Sequence, residues 1–169
     1  FLESAWVTKL VKALNAQPED AFVEIGPGRG AITRPLAAQV ARLLAIEVDR
    51  DLAAALVAEQ LPALTVVQGD VLETELGEAV RAWQGHPLDA EHRVRVVGNL
   101  PYNISSPIMF MLLKLAATTG GLTDATLMLQ REVADRLTAK PGTKEYGVLS
   151  ILTGLHADAA PHAIRVVDR

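Results

Sequence analysis

A short run in the second half of the chain has the residue types needed to hold a planar amine. Asn99, Leu100, Pro101 and Tyr102 follow an apolar stretch that ends at Gly98. Pro101 fixes its own φ and favours an extended Leu100, so the Leu100 carbonyl is expected to point in one direction. The Asn99 amide oxygen and this carbonyl can accept from an exocyclic NH2 group, and the Tyr102 ring can stack on a base. An ordinary proline turn is the alternative.

The same turn favours transfer of a methyl group to the bound nitrogen. An exocyclic nitrogen on a heterocycle is a weak nucleophile because its lone pair is delocalised into the ring. Acceptors on both of its hydrogens favour a pyramidal nitrogen and stabilise the charge that develops during attack. A sulfonium donor then reacts in line once both partners are held at contact distance. A dehydrogenase has no need of such a turn.

A glycine-rich turn is the second candidate site. Glu24 lies near the end of a predicted strand, and Gly26 and Gly28 follow it. Glycine allows positive φ and a close approach of backbone to ligand, which suits the floor of a nucleotide site. The spacing also fits a loose dinucleotide fingerprint with Ala31 in the last place. A tight turn without a ligand remains the alternative.

Two acids lie at the ends of the next two predicted strands. Glu47 lies about twenty residues beyond the glycines, where a carboxylate can accept from ribose hydroxyls. Asp70 follows the third strand and can accept from the amino group of an adenine. Helix capping is the competing role for both, because Asp49 and Asp51 adjoin Glu47 and Asp favours cap positions. Together the strand ends predict one bound nucleoside.

An alternation of strands and helices is expected to position these residues. Strands are predicted at 21–25, 42–48, 64–68, 94–98, 125–129 and 164–167, with helices at 4–14, 31–40, 51–60, 76–83, 107–115, 131–137 and 147–156. Ser105 or Ser106 is expected to cap the helix that carries Pro107 in its first turn. The pattern predicts an α/β domain, with a mostly parallel sheet covered by helices on both faces.

Composition restricts the class of protein. The 169 residues contain no cysteine, carry a formal charge of -4 and are half hydrophobic. No signal peptide or bilayer-length apolar run is visible, so we expect a cytoplasmic protein that has no membrane partner. The four histidines have no ligand spacing, and no metal site is predicted. The acidic balance argues against nucleic-acid binding unless basic segments lie outside this sequence.

The motifs resemble those of the ribosomal RNA small-subunit adenine-N6,N6-dimethyltransferase family, which are Rossmann-like class I S-adenosylmethionine-dependent methyltransferases. The matching segments are 23–28, 46–50, 68–70, 98–107, 129–133 and 144–147. The run from Gly98 to Pro107 is the most specific. Leu100 is similar to the small-subunit branch, whereas the large-subunit resistance branch more often has Ile there.

The resemblance implies where S-adenosylmethionine and its product S-adenosylhomocysteine bind. Gly26 and its neighbours Glu24 and Gly28 belong to the turn that holds the methionine part. Glu47 is implied to bind the ribose, and Asp70 the adenine amino group. Leu2 is implied to touch the donor, as the end of a partly absent family motif.

The target side follows from the same resemblance. Asn99, which also lies beside the donor, and the Leu100 carbonyl are implied to hold N6 of an adenine in small-subunit ribosomal RNA. Pro101 stiffens the turn and Tyr102 stacks on the target base. Residues 1–169 are then the donor-binding catalytic domain, lacking the closing strand and the C-terminal helical domain of the family.

The partner expected from the resemblance is an immature small ribosomal subunit, and a monomer is expected. The loop at 138–146 and the basic residues in and before it are candidates for part of the RNA-facing surface, or equally a solvated helix and loop: Arg131, Arg136, Lys140 and Lys144. A methyltransferase for another planar amine, in large-subunit RNA, DNA or protein, remains open. So does a noncatalytic ribosome-assembly factor, with a nicotinamide enzyme as a distant third.

Overall fold

The computed structural model describes residues 4–157. The elements are α1 (Ser4–Leu14), β1 (Ala21–Ile25), α2 (Thr33–Ala37), β2 (Arg42–Glu47), α3 (Arg50–Ala58), β3 (Leu64–Gln68), α4 (Leu76–Gln84), β4 (Val94–Asn99), α5 (Ser105–Thr119), β5 (Leu122–Met128), α6 (Arg131–Leu137) and α7 (Val148–His156). Among these helices, none combines the length and apolar character needed to cross a membrane.

The described strands form one parallel sheet in the order β3-β2-β1-β4-β5. The chain therefore runs from β1 in the middle to β3 at one edge, returns across the sheet to β4 beside β1, and reaches the other edge with β5. The strand order reverses between β1 and β4, and ligands of open parallel sheets bind beyond the carboxyl ends of the strands at such a point. The predicted Rossmann-like parallel sheet is confirmed.

Both faces of the sheet are buried by helices, as the apolar strands predicted. In β1, Val23 and Ile25 belong to a cluster that includes Val80 of α4 and Ile108 of α5. Phe22 projects to the opposite face, into a cluster with α1 and α2. The alternation along β1 follows from the two-residue period of a strand.

The helix predicted at 31–40 is shorter in the structure. It spans only Thr33–Ala37, because the glycine turn continues to Ile32. A helix starting at Ala31 would place Pro35 in its interior, where proline lacks the N–H that the Ala31 carbonyl needs. Starting at Thr33 puts Pro35 in the first turn, where the missing donor costs nothing.

The prediction that Ser105 or Ser106 caps α5 is wrong. Ile104 occupies the cap position without a side-chain hydrogen bond, and Ser105 is already helical, its hydroxyl donating to the Tyr102 carbonyl at 3.3 Å. The helix ends at Thr119, beyond the predicted 115, because Gly120 supplies the left-handed residue after it. By contrast, Asp49 caps α3, its side chain accepting from the Asp51 and Leu52 N–H groups. The strand predicted at 164–167 lies outside the described residues.

Candidate functional site

The strand registers bring the predicted residues to one edge of the sheet. Ile25 pairs with Gly98 on one side and Ile46 on the other, and Glu47 pairs with Gln68. The residues that follow these pairs therefore lie side by side along the carboxyl edge: the glycine turn, Glu47, Asp70 and Asn99. We call this edge the rim.

The glycine turn is hydrogen-bonded to β2 and has unfilled space against it. The Gly26 N–H donates to the Ile46 carbonyl at 3.0 Å. Gly26 and Gly28 have φ of +66° and +57°, a region that other residues rarely adopt. A Cβ built at either position would meet no atom within 4 Å, so unfilled space lies against the turn. Gly30 differs, because a Cβ there would approach Leu56 Cδ2 to 2.8 Å.

Glu47 is fixed by backbone amides. Its side chain accepts from the Gly28 N–H at 2.8 Å through Oε2 and from the Asp49 N–H at 2.9 Å through Oε1. Each carboxylate oxygen can accept a second hydrogen bond. The side chain is therefore aimed along the rim and retains the capacity to accept from the hydroxyls of a ribose.

Asp70 lies at the next strand end. Its Oδ1 accepts from the Leu72 N–H at 2.9 Å, while its carbonyl accepts from the Thr74 N–H at 2.8 Å. These bonds close a turn that precedes α4, whose cap position is Glu75. Asp70 is therefore not the cap residue of α4, although its side chain caps the turn that precedes this helix. Its second carboxylate oxygen takes no part in these turn bonds.

The turn that follows β4 is anchored on both sides. The Leu100 N–H donates to the Met128 carbonyl at 3.2 Å, and the Leu100 side chain is buried in the core. The Ile104 N–H donates to the Pro101 carbonyl at 3.3 Å. Asn99 is exposed at the rim, and the Tyr102 side chain is 62% exposed. The backbone is thus held firmly while the amide and the ring face outward.

Glu24 lies near the end of β1, just before the glycine turn, and is only 1% exposed. Burial raises the pKa of its carboxyl from 4.5 to about 7, with the negative charge of Glu47 adding to the rise. The hydroxyl of Thr33 is near enough to lower this pKa in part. Neither Glu24 Oε2 nor Thr33 Oγ1, however, forms a hydrogen bond of acceptable geometry with a described group. As a donor-binding residue Glu24 stays a prediction, and Leu2 lies outside the described residues.

The structural roles of two further residues were not predicted from the sequence. Thr33 is fully buried next to Glu24, and only its place on the inward side of a helix after the glycine turn could have indicated this. Gly98 allows β4 to pass close to β1, since a Cβ there would lie 2.9 Å from the Ile25 carbonyl oxygen. The signal for Gly98 was a glycine at the end of an apolar strand.

Other features lie away from the rim. A cavity of about 220 Å³ opens at the amino ends of the strands, lined in part by Ala21, Arg42 and Arg95. On α6, Arg131 pairs with Asp135 and Arg136 with Glu132. These ion pairs favour the solvated-helix interpretation for Arg131 and Arg136, whereas an RNA-facing role of Lys140 and Lys144 stays a prediction. Within residues 4–157 no cluster of three or more His, Asp or Glu side chains could hold a metal.

The sheet order and the rim at its reversal point define a Rossmann-like class I methyltransferase fold. A dimethyladenosine transferase from Plasmodium falciparum superposes with a TM-score of 0.71 at 27% identity, covering 90% of this chain and 51% of that one. The 23S rRNA methyltransferase ErmE gives a TM-score of 0.70 at 25% identity, covering 90% and 55%.

Sequence comparison narrows the class to a family. The family described as ribosomal RNA adenine dimethylase matches residues 1–164. Ribosomal RNA small subunit methyltransferase A of Xylella fastidiosa (strain Temecula1) is 47% identical over 154 residues, which are 90% of this chain and 54% of the relative. The chain therefore belongs to the ribosomal RNA adenine dimethylase family, as its motifs suggested. It spans about half the length of the curated relatives it matches.

Proposed function

We propose that this chain is the donor-binding and catalytic part of an enzyme that methylates N6 of adenines in small-subunit ribosomal RNA, giving N6,N6-dimethyladenosine. S-adenosylmethionine is the proposed donor. One observation carries the proposal: the open glycine turn and the anchored turn at Asn99 lie on adjacent strands at the point where strand order reverses. A donor bound at the glycine turn and an amine held at the Asn99 turn would be neighbours.

The residues at the rim fit such a donor. The space against Gly26 and Gly28 accommodates its methionine part. Glu47 accepts from the ribose hydroxyls, and Asp70 accepts from the adenine amino group. When bound, the donor supplies an electrophilic methyl carbon on a positively charged sulfur.

The target amine is held by the turn after β4. Asn99 Oδ1 and the Leu100 carbonyl accept its two hydrogens, and Tyr102 stacks on the base. A bound donor would supply its methyl carbon to N6, and the electrons of the broken carbon–sulfur bond would remain on its sulfur. N6 then loses a proton to solvent. The two acceptors stabilise the positive charge on N6 before that proton leaves.

Replacement of Asn99 tests this role. In the full-length protein, Asn99→Ala should reduce the rate of methylation of immature small subunits about 10²–10³-fold, the usual cost of one lost charge-stabilising contact. The matched control is Gln39→Ala, which removes an exposed amide at the far end of α2. An Asn99→Ala protein that methylates at the unaltered rate would contradict the proposal.

Substrate choice is tested in the same assay. Methyl transfer to immature small subunits, with none to large-subunit RNA or DNA, is the expected result. If unaltered protein binds subunits but transfers no methyl group, the chain belongs to an assembly factor instead. We further propose that the enzyme is a monomer in the cytoplasm, and light scattering at micromolar concentration checks the first of these.

A further inference from the structure

Glu24 is a buried acid, only 1% exposed, near the end of the first strand. Its Oε2 has no hydrogen-bond partner, and neither does the Thr33 hydroxyl beside it. A buried polar atom without a partner is destabilising, so such an atom calls for an explanation. Glu24 lies two residues before Gly26, Thr33 begins α2 just after the turn, and the space against Gly26 and Gly28 is unfilled.

The surroundings of Glu24 hold no described positive charge that neutralises it. On β2, Glu47 is a second acid, and its two oxygens already accept backbone amides. The paired strand positions beside Glu24 are Ala45 and Val97, which are apolar. On α2, Arg34 is engaged by Glu59 at 2.7 Å.

Arg29 lies in the turn itself and has an interaction of its own. A cation brought to the turn by a ligand would meet two neighbouring carboxyl groups, of which only Glu47 accepts hydrogen bonds from backbone amides.

We propose that Glu24 is a neutral acid in the ligand-free protein and loses its proton when the ammonium group of the donor's methionine part occupies the space against the glycine turn. This inference rests on the proposed function, because it takes S-adenosylmethionine as the ligand. Binding of the donor, or of its product, then expels a proton near neutral pH. The bond broken is the O–H of Glu24, and the proton goes to the buffer.

The direction of the pH dependence follows from linkage. Burial holds the pKa of free Glu24 at about 7, and a nearby ammonium lowers it. Affinity for a ligand with the ammonium therefore rises as pH increases, by about tenfold between pH 6 and pH 8. A ligand without that group gains nothing from the ionised form.

Titration calorimetry with S-adenosylhomocysteine tests the proposal. Titrations at pH 7 in buffers of different ionisation enthalpy should show release of about half a proton per ligand, because Glu24 is then half ionised in the free protein. Glu24→Gln should bind with that release abolished and with the rise in affinity removed. 5′-Methylthioadenosine, which lacks the amino acid part, should release no proton from the unaltered protein.

Equal proton release by the unaltered protein and Glu24→Gln would overturn the proposal, as would equal release with both ligands. Failure of S-adenosylhomocysteine to bind the unaltered protein would instead contradict the proposed function. Should Glu24→Gln fail to fold, infrared difference spectra of the unaltered protein decide. A protonated carboxyl band that disappears on binding supports the proposal, and no such change contradicts it.

Discussion

Glu24 and Glu47 are two acids on adjacent strands with opposite surroundings. Glu47 accepts two backbone N–H groups, whereas Glu24 has an oxygen without a partner and a pKa raised to about 7 by burial. Chemically identical groups thus have different surroundings, and burial raises the pKa of Glu24. Sequence could name both residues, but it could not distinguish their surroundings, because these depend on the backbone of other segments.

The raised pKa of Glu24 predicts a pH-dependent stability. Below pH 4.5 the carboxyl is neutral in both the folded and unfolded chain. As pH rises towards 7 only the unfolded chain ionises it, so the free energy of unfolding falls and then levels off. Glu24→Gln should therefore be more stable than the unaltered ligand-free protein at pH 8, by up to about 3 kcal/mol, and similar to it near pH 4.

Urea denaturation at the two pH values measures this difference. The matched control is Glu59→Gln, because Arg34 lowers the pKa of Glu59, which is the opposite direction. Glu59→Gln should show no gain at pH 8. A Glu24→Gln protein that gains nothing at pH 8 relative to pH 4 would show that Glu24 is not held neutral by burial.

At the scale of elements, the close approach of β4 to β1 depends on Gly98. A Cβ at this position would lie 2.9 Å from the Ile25 carbonyl oxygen and 3.1 Å from Leu100 Cδ2. Gly98→Ala should therefore lower the free energy of unfolding by about 1–3 kcal/mol, since backbone cannot move aside cheaply. Gly77→Ala, whose Cβ would be 3.6 Å from Leu115, is the control and should be neutral or stabilising. Equal stability of both variants would contradict the argument.

Arg95 joins four elements at the opposite edge of the sheet. Its guanidinium pairs with Asp20 at 2.8 Å and Asp124 at 3.0 Å, and it donates to the Leu14 carbonyl at 2.8 Å. It also lies over the Phe22 ring, 4.7 Å from its centroid. These contacts connect the end of α1 to β1, β4 and β5.

Removal of this arginine should destabilise the fold without weakening the rim. Arg95→Ala leaves Asp20 half-buried without its partner, so we expect a loss of about 2–3 kcal/mol, reduced from the fully buried case by partial exposure. Arg81→Ala breaks an exposed pair with Glu78 and should cost under about 0.5 kcal/mol. Thermal denaturation compares the two. Similar losses would show that Arg95 is no more important than a surface residue.

At the scale of the whole molecule, the sequence predicted those features that depend on a local pattern of residues. The strand runs and the glycine turn established the parallel sheet, and the ends of its strands located the rim. Sequence failed where a distant or competing contact decided the outcome. Pro35 shortened α2, and backbone geometry displaced Ser105 from the expected cap. The contacts of Arg95 with Asp20 and Leu14 join residues far apart in the chain, so no local pattern could indicate them.

The most direct measurement is a map of the changes in backbone amide NMR chemical shifts as S-adenosylhomocysteine is added to the protein. The rim and the cavity at the amino ends of the strands lie at opposite edges of one sheet, so the map separates them. We predict that the amides of Gly26, Gly28, Asp70 and Asn99 shift and that those lining the other cavity do not. Shifts confined to Ala21, Arg42 and Arg95, or a response to NAD but not to S-adenosylhomocysteine, would contradict the account.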